Sequence, residues 1–364
     1  MSVTKGKLLD LLNEIYDDPS KWVYKNNKDE LLHYDIFDKE KCRDFIEEYF
    51  DCTGKDADSN TLLRNSETND EISSTRYQHI VITFFYGLLI YDKCTSLKSS
   101  IDKYLSQERY EKALKKHQDA PFAYVWFLIC LFHDLAYPFE YKRENEREYK
   151  SFNELKEAKK WECDPDGVPS VYDRNLLSAY FDYRNKKNGT MDAMNDHGIC
   201  AGYHLYADLC NIRDSKSKAA TDDWWNEDLK IIFNLAAWVV ACHNIWTIKE
   251  DADEDKLKAY RDAHLEKLIL GKDEEGKIKR LIHPQEHPFL FLFCLVDSIE
   301  PVKVVKDVNL LDKILLEIAD EGIKIDVQLT CGCHNKLLNS IRDLDNWLTK
   351  VSVTDDTGRI CLHE

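Results

Sequence analysis

The side chains best suited to chemistry are histidines and aspartates placed at or near the ends of apolar segments. The segment HIVITFFYGLLIY begins with His79, FAYVWFLICLFHD ends with a His-Asp pair, and LAAWVVACHN nearly ends with His243. The full set comprises His79, His133, Asp134, His197, His243 and Asp297. An imidazole or a carboxylate buried without a partner is costly, so each of these side chains needs one. A shared metal site would satisfy all of them together.

The residue types also indicate which metals would bind. Neutral imidazole suits first-row transition ions, and a carboxylate can bridge two ions and offset their charge. Magnesium or calcium alone would prefer more oxygen ligands. Four histidines and two aspartates therefore predict a site for two divalent transition-metal ions, with iron, manganese and zinc as candidates.

Helices are expected to position these ligands. Apolar residues recur at helical spacing over most of the chain. The ranges concerned are 7–16, 39–50, 75–97, 107–114, 123–135, 197–209, 228–243, 255–270 and 288–300. The tail differs, because 323–329 alternates as a strand does, 334–348 has helical spacing, and 351–362 carries Asp-Asp-Thr-Gly between β-prone flanks. We expect a mainly α fold with a small α+β C-terminal appendage.

At these positions the sequence resembles the HD superfamily of metal-dependent phosphohydrolases. That family has a histidine, then an adjacent His-Asp pair, then one or two further histidines, then a late aspartate. The matching segments here are RYQHIVITF, LFHDLAYPF, NDHGICAGY, ACHN and LVDSIEP. The resemblance covers roughly residues 75–301 and implies an HD-domain helical core.

The resemblance also implies roles for the ligands. His79, His133, Asp134 and Asp297 would hold one metal ion, and Asp134 would bridge to a second ion held by His197 and His243. A water between the ions would be a hydroxide near neutral pH and would attack phosphorus in line. The implied enzyme is a hydrolase that cleaves a phosphate ester or anhydride of a nucleotide or another small phosphorylated compound.

On this basis the chain divides into three parts: an N-terminal helical extension at 1–70, the HD-type metal-binding domain at 71–304, and the α+β tail at 305–364.

The sequence departs from some branches of that family just after the His-Asp pair. Those branches carry a glycine and a lysine there, whereas this chain continues Leu-Ala-Tyr-Pro. Phosphoryl transfer depends on electrostatic stabilisation, so another cation is expected to serve. The candidates are Arg76, one turn before His79, and Lys142 and Arg143 after the pair, with Arg147 as a secondary candidate.

Residues beside the ligands have two possible roles. Asp196 could orient a ligand or a water, but its position in NDHG favours a helix N-cap. Tyr137, Asn244, Trp246 and Glu300 either line a pocket or complete the fold. His204, His283 and His287 are expected not to bind metal.

Composition limits the partners and the location. The 364 residues carry a formal charge of −17, which repels phosphate backbones and disfavours nucleic-acid binding. The apolar runs are shorter than a membrane span and no secretory segment opens the chain, so no membrane association and a cytoplasmic location are expected. The twelve cysteines are then reduced thiols, several of them in the core. The oligomeric state is left open.

Two other functions share the same ligands. The pattern also resembles that of mixed-valent di-iron oxygenases such as myo-inositol oxygenase. A catalytically silent binding module with a structural metal would retain the same six side chains. Metal requirement, oxygen consumption and phosphate release distinguish the three.

Overall fold

The computed structural model describes residues 3–23, 35, 37–51, 70–115, 120–140, 147–162, 164–186, 193–219, 225–305, 308–327 and 333–362. Most of them are helical. The helices are α1 Leu8–Tyr16, α2 Lys39–Asp51, α3 Asp70–Lys93, α4 Thr95–Leu105, α5 Glu108–Ala113, α6 Pro121–Phe132, α7 Tyr137–Glu140, α8 Phe152–Lys159, α9 Arg174–Arg184, α10 His197–Ala219, α11 Leu229–Cys242, α12 Glu254–Asp262, α13 Pro288–Ile299, α14 Pro301–Val305 and α15 Cys333–Asp343. The strands are β1 Thr4–Lys7, β2 Ile248–Lys249, β3 Ile269–Leu270, β4 Ile314–Ala319, β5 Gly322–Val327, β6 Val351–Val353 and β7 Thr357–Cys361.

The chain forms two compact units. The first contains residues 1–130 and 283–364, and the second contains residues 131–282. The chain passes from the first unit to the second within α6, between Cys130 and Leu131.

The first unit contains a five-stranded antiparallel sheet in the order β1-β4-β5-β7-β6. Burial alternates along β4 and β5, so each strand has one buried face and one half-buried face. β6 and β7 pair as an antiparallel hairpin around Asp-Asp-Thr-Gly, the segment with β-prone flanks. β1 lies at the other edge, where Thr4 pairs with Ile318 and Lys7 pairs with Leu315. The sheet therefore joins the N-terminal segment to the tail, which the sequence pattern did not predict.

Helix α3 carries His79 and is held in the aromatic core of the first unit. The indole of Trp126 lies so close to α3 that a Cβ on Gly87 would be 2.2 Å from Trp126 Cζ2. The indole Nε1 also donates a hydrogen bond of 3.0 Å to the carbonyl of Phe84. Glycine at position 87 is what permits this close packing, which fixes α3 two turns after His79.

The second unit is organised around the antiparallel pair α10 and α11. Two glycines of α10 face α11, and a Cβ on Gly202 would lie 2.5 Å from the carbonyl oxygen of Ala237. Trp161 packs against Trp238 at 4.9 Å between ring centroids and donates a hydrogen bond to Asn234. The helices thus pack closely along a small-residue face, with an aromatic cluster beside it.

A mainly α fold with a small sheet is confirmed, and two predicted helices need correction. The predicted helix 75–97 breaks at Cys94, and α4 begins at Thr95. The predicted helix 255–270 ends at Asp262, after which His264 adopts a positive φ of 58° and the chain continues to β3. Residues 53–69, where turn-forming residues cluster and the sequence predicts a loop, lie outside the described residues.

One helical stretch is longer than the apolar run suggested. The stretch Pro121–Glu140 has 20 residues and is long and apolar enough to cross a membrane. However, 78% of its most apolar 18-residue segment is buried inside the protein. Arg76–Lys93 and Thr95–Leu105 pass the same test only if joined across a 101° bend. Burial of this kind is typical of a core helix in a soluble protein, and the cytoplasmic location stays a prediction.

Candidate metal centre

The second unit brings His197 and His243 together at the same end of the α10–α11 pair. His197 is the first residue of α10, and His243 directly follows α11. Between them lies Gly198, where a Cβ would be 3.1 Å from the His243 ring. A small residue here lets the two imidazoles approach, with ring centroids 5.1 Å apart.

Three acceptor atoms converge at this point. The Nε2 atoms of His197 and His243 are 3.3 Å apart, and Asp134 Oδ1 is 3.6 Å from His197 Nε2. The Nδ1 atom of His197 lies 2.9 Å from Glu140 Oε1, and that of His243 lies 2.6 Å from the carbonyl of Val240. Because each Nδ1 faces an acceptor, it carries the proton, and each Nε2 presents a lone pair. The donor set fits a metal ion, and its ligand atoms all lie within 4.8 Å of one another.

The electrostatics of this group favour positive charge. Burial alone would lower the pKa of His197, but the hydrogen bond to Glu140 and the nearby charge of Asp134 raise it. Burial would likewise raise the pKa of Glu140, yet the hydrogen bond from His197 and the charge of Arg184 lower it. Glu140 is therefore an ionised carboxylate that orients His197 and makes its Nε2 a better ligand.

The His-Asp pair lies just beyond α6, where the chain makes a turn before α7. His133 is fully buried, and its Nε2 atom is 3.4 Å from Asp134 Oδ1. Its ring meets that of His243 edge to face, at 5.5 Å between centroids. Within the second unit, four of the six predicted ligands are thus neighbours.

The first unit holds the other two predicted ligands in contact. His79 Nε2 lies 3.2 Å from Asp297 Oδ1, and His79 Nδ1 lies 2.9 Å from Glu300 Oε2. Burial by itself would lower the pKa of His79, but the hydrogen bonds with Asp297 and Glu300 raise it to about 9. This pair also attracts positive charge, and a metal ion would replace the proton on Nε2.

Glu300 is held rigidly for its contact with His79. It directly follows α13 and is completely buried. Its two carboxylate oxygens accept hydrogen bonds of 2.7 and 2.6 Å from the backbone amides of Val302 and Lys303. The side-chain Nζ of Lys303 also donates a hydrogen bond of 2.5 Å to Asp297 Oδ1. Glu300 and Glu140 thus have equivalent positions, each behind the Nδ1 atom of one predicted ligand.

The remaining predicted residues have varied positions. Arg76 lies half-buried on α3, and its catalytic role stays a prediction. Lys142 and Arg143 lie outside the described residues. Arg147 donates to the backbone and side chain of Asn185, so it has a structural partner. Asp196 accepts from the backbone amide of Ile199 at 2.9 Å, which is the N-cap contact that its position favoured.

Residues beside the ligands also make specific contacts. The ring of Tyr137 lies 5.0 Å from that of His197, and Asn244 donates a hydrogen bond of 3.0 Å to Asp196. His204, which was expected not to bind metal, has its Nε2 atom 2.9 Å from the hydroxyl of Tyr149.

Sequence reasoning missed Glu140 and Arg184. Glu140 begins the segment 140–160, where charges of both signs lie close together, a pattern typical of a solvated helical face. Its place at the end of an apolar helical stretch is the signal that could have found it. Arg184 is buried and pairs with Glu140 at 3.5 Å and Asp196 at 3.9 Å. Nothing in its local sequence marks it, because its partners are distant along the chain.

Comparison of the chain with protein-family models, with curated proteins and with solved structures finds no match.

Proposed function

We propose that this protein is a metal-dependent phosphohydrolase of the HD superfamily that acts on a small phosphorylated compound. The observation that carries the proposal is the convergence of His197 Nε2, His243 Nε2 and Asp134 Oδ1, with Glu140 behind His197. The order of the ligands along the chain, which resembles that family, supports the same conclusion.

The side chains have distinct roles in this proposal. His197 and His243 present their Nε2 atoms to one ion, and Glu140 and the Val240 carbonyl fix the tautomers that make this possible. The resemblance to the HD superfamily implies that a second ion would be held by His79, His133 and Asp297. It also implies that Asp134 would be a ligand of both ions. Two divalent ions, when bound, activate a water for attack on phosphorus and neutralise charge on the phosphoryl oxygens.

The protein's charge favours a small substrate. A net charge of −17 opposes the approach of a long polyanion, whereas the local groups around His79 and His197 attract cations. Arg76, Lys142 and Arg143 are the proposed sources of positive charge for the transition state.

Elemental analysis followed by paired assays tests the proposal. We expect about two iron, manganese or zinc ions per chain, and phosphate release from nucleotides or sugar phosphates without oxygen uptake. Oxygen consumption with iron would instead identify an oxygenase, and bound metal without turnover would identify a binding module. No metal after reconstitution would contradict the site itself.

Asp134→Ala provides the matched variant. Its carboxylate is assigned to both ions, so we expect loss of both metals and of activity. His204→Gln, on the same helix as His197 but bonded to Tyr149, is the control and is expected to keep both. A fully active Asp134→Ala protein would overturn the assignment.

A further inference from the structure

His197 and His243 both lie at helix ends, where fewer backbone hydrogen bonds hold the chain. His197 is the first residue of α10, and His243 directly follows the last residue of α11. The first amides and the last carbonyls of a helix have no partner within that helix. Contacts made by the residues beside these histidines therefore help to set the distance of 3.3 Å between the two Nε2 atoms.

The chain neighbours of the two histidines are bonded to each other. Asp196, which precedes His197, is completely buried. Its Oδ2 atom accepts a hydrogen bond of 3.0 Å from the side-chain amide of Asn244, the residue after His243. Its Oδ1 atom accepts one of 2.9 Å from the backbone amide of Ile199. One carboxylate thus joins the first turn of α10 to the segment that follows α11.

The main chain of Asn244 is held as well. The hydroxyl of Tyr180, a fully buried residue of α9, donates a hydrogen bond of 3.1 Å to the carbonyl of Asn244. The same hydroxyl accepts one of 3.1 Å from the backbone amide of Trp246. Asn244 is therefore fixed through both its side chain and its backbone, in the segment that α11 no longer holds.

We propose that Asn244 is a positioning residue for metal binding, which holds His197 and His243 at the separation that one ion requires through its hydrogen bond to Asp196. The inference rests on the metal site of the proposed function and is independent of the reaction. A buried carboxylate oxygen that loses its donor is costly, so without the amide the two segments are expected to rearrange. Residues that orient metal ligands from behind contribute about 10- to 100-fold to metal affinity.

This role differs from that of the acceptors behind the two rings. Glu140 and the Val240 carbonyl decide which nitrogen of each imidazole carries the proton. Asn244 contacts neither Nε2 atom and acts instead on the distance between the two segments that carry the ligands.

Replacement of Asn244 by leucine tests the inference, because leucine has a similar size and leaves the net charge unchanged. We expect about tenfold weaker zinc binding, measured by competition with a chromophoric chelator. The matched control is Asn234→Leu on α11, which removes a buried hydrogen bond of 3.1 Å from the indole of Trp161. The control is expected to lower stability and to keep the affinity. Equal zinc affinities for the two variants would overturn the inference.

The visible absorption of bound cobalt(II) separates a change in ligand position from a general loss of stability. The spectrum depends on the number and arrangement of the ligands. At saturating cobalt we expect altered bands for Asn244→Leu and bands that superimpose on those of the unaltered protein for Asn234→Leu. A spectrum of Asn244→Leu that also superimposes would contradict the positioning role.

Two further variants keep the inference testable if Asn244→Leu does not fold. Asn244→Asp combined with Asp196→Asn reverses the direction of the hydrogen bond, keeps the net charge and leaves an oxygen for the amide of Ile199. This exchange is expected to retain most of the zinc affinity, whereas Tyr180→Phe, which removes both contacts of the hydroxyl, is expected to weaken it. Weak binding by the exchanged pair, or full affinity in Tyr180→Phe, would count against the inference.

The positioning role and the proposed hydrolysis can fail separately. Zinc affinity that depends on Asn244, without phosphate release from any substrate, would support the inference and refute hydrolysis. Phosphate release with unaltered zinc affinity in Asn244→Leu would do the reverse. An unaltered protein that takes up neither zinc nor cobalt would overturn the metal site and this inference together.

Discussion

Replacement of Glu140 by glutamine tests whether the carboxylate behind His197 supports metal binding. Glu140 Oε1 accepts from both the backbone amide and the Nδ1 atom of His197, at 3.2 and 2.9 Å. Glutamine has nearly the same shape and keeps an acceptor oxygen, but it removes the negative charge. The substitution therefore isolates the electrostatic part of the interaction.

The expected loss follows from the geometry. Given the 2.9 Å hydrogen bond, the width of the imidazole and a metal–nitrogen bond of about 2.1 Å, the carboxylate would lie roughly 7 Å from an ion held by His197. At that distance a unit charge and a divalent ion attract by about 1 kcal/mol in water and about 5 kcal/mol at an effective dielectric constant near 20. Carboxylates in this position contribute about 10- to 100-fold to metal affinity. Because glutamine keeps the hydrogen bond, we expect about a tenfold loss.

Competition with a chromophoric chelator measures the affinity for zinc or manganese. The unaltered protein, Glu140→Gln and His204→Gln are compared, and His204 is the matched control because it lies on α10 two turns beyond His197. Thermal unfolding checks that each variant is folded, since Glu140 also pairs with Arg184. Affinity of Glu140→Gln within about twofold of the unaltered protein would refute the role given to this carboxylate.

Three further predictions concern stability. Metal at about 100 times its dissociation constant should stabilise the protein by about 2.7 kcal/mol, seen as a rise in melting temperature that Asp134→Ala abolishes and that a chelator reverses. Gly202→Ala should lower the free energy of unfolding in urea by about 1–3 kcal/mol, because the new Cβ would lie 2.5 Å from the Ala237 carbonyl oxygen. The control is Gly271→Ala, which should be nearly neutral because the nearest contact of its Cβ would be at 3.9 Å. Equal urea midpoints for the two variants would contradict the packing argument. Burial lowers the pKa of His287 from 6.5 to about 4, so the unfolded chain binds a proton at a higher pH than the folded chain does. The free energy of unfolding therefore falls as the pH drops from about 6.5 to about 4. Between neutral pH and about pH 5.5, the free energy of unfolding of His287→Gln should therefore fall by about 1.4 kcal/mol less than that of the unaltered protein. Parallel pH profiles of the urea midpoints of the two proteins would exclude this role of His287.

The helices that position the candidate ligands could be predicted because they are strongly apolar. The range 228–243 corresponds to α11 at Leu229–Cys242, and 288–300 corresponds to α13 at Pro288–Ile299. β1 could not be predicted in the same way. Its four residues are Thr-Lys-Gly-Lys, and they are extended because they pair with β4, about 310 residues further along the chain.

The same distinction applies to the candidate site. His197 and His243 could be singled out because a polar side chain beside an apolar helix needs a partner. Glu140 and Arg184 lie in segments of mixed polarity, where charged residues are usually solvated. The role of Arg184 depends on tertiary contacts with Glu140 and Trp246, and no local pattern contains that information. For Glu140 the one local signal is its place at the end of an apolar helical stretch.

The balance of buried charge in the second unit provides an argument for a metal that is independent of ligand order. Three carboxylates, those of Asp134, Glu140 and Asp196, lie beside His197 and Arg184. Arg184 offsets one of them, and burial, with a smaller contribution from the charge of Glu140, raises the pKa of Asp196. A proton on His197 would supply only one further positive charge. His197, His243 and Asp134 could together hold a divalent ion, which would supply two positive charges and would satisfy three acceptor atoms that a single proton cannot.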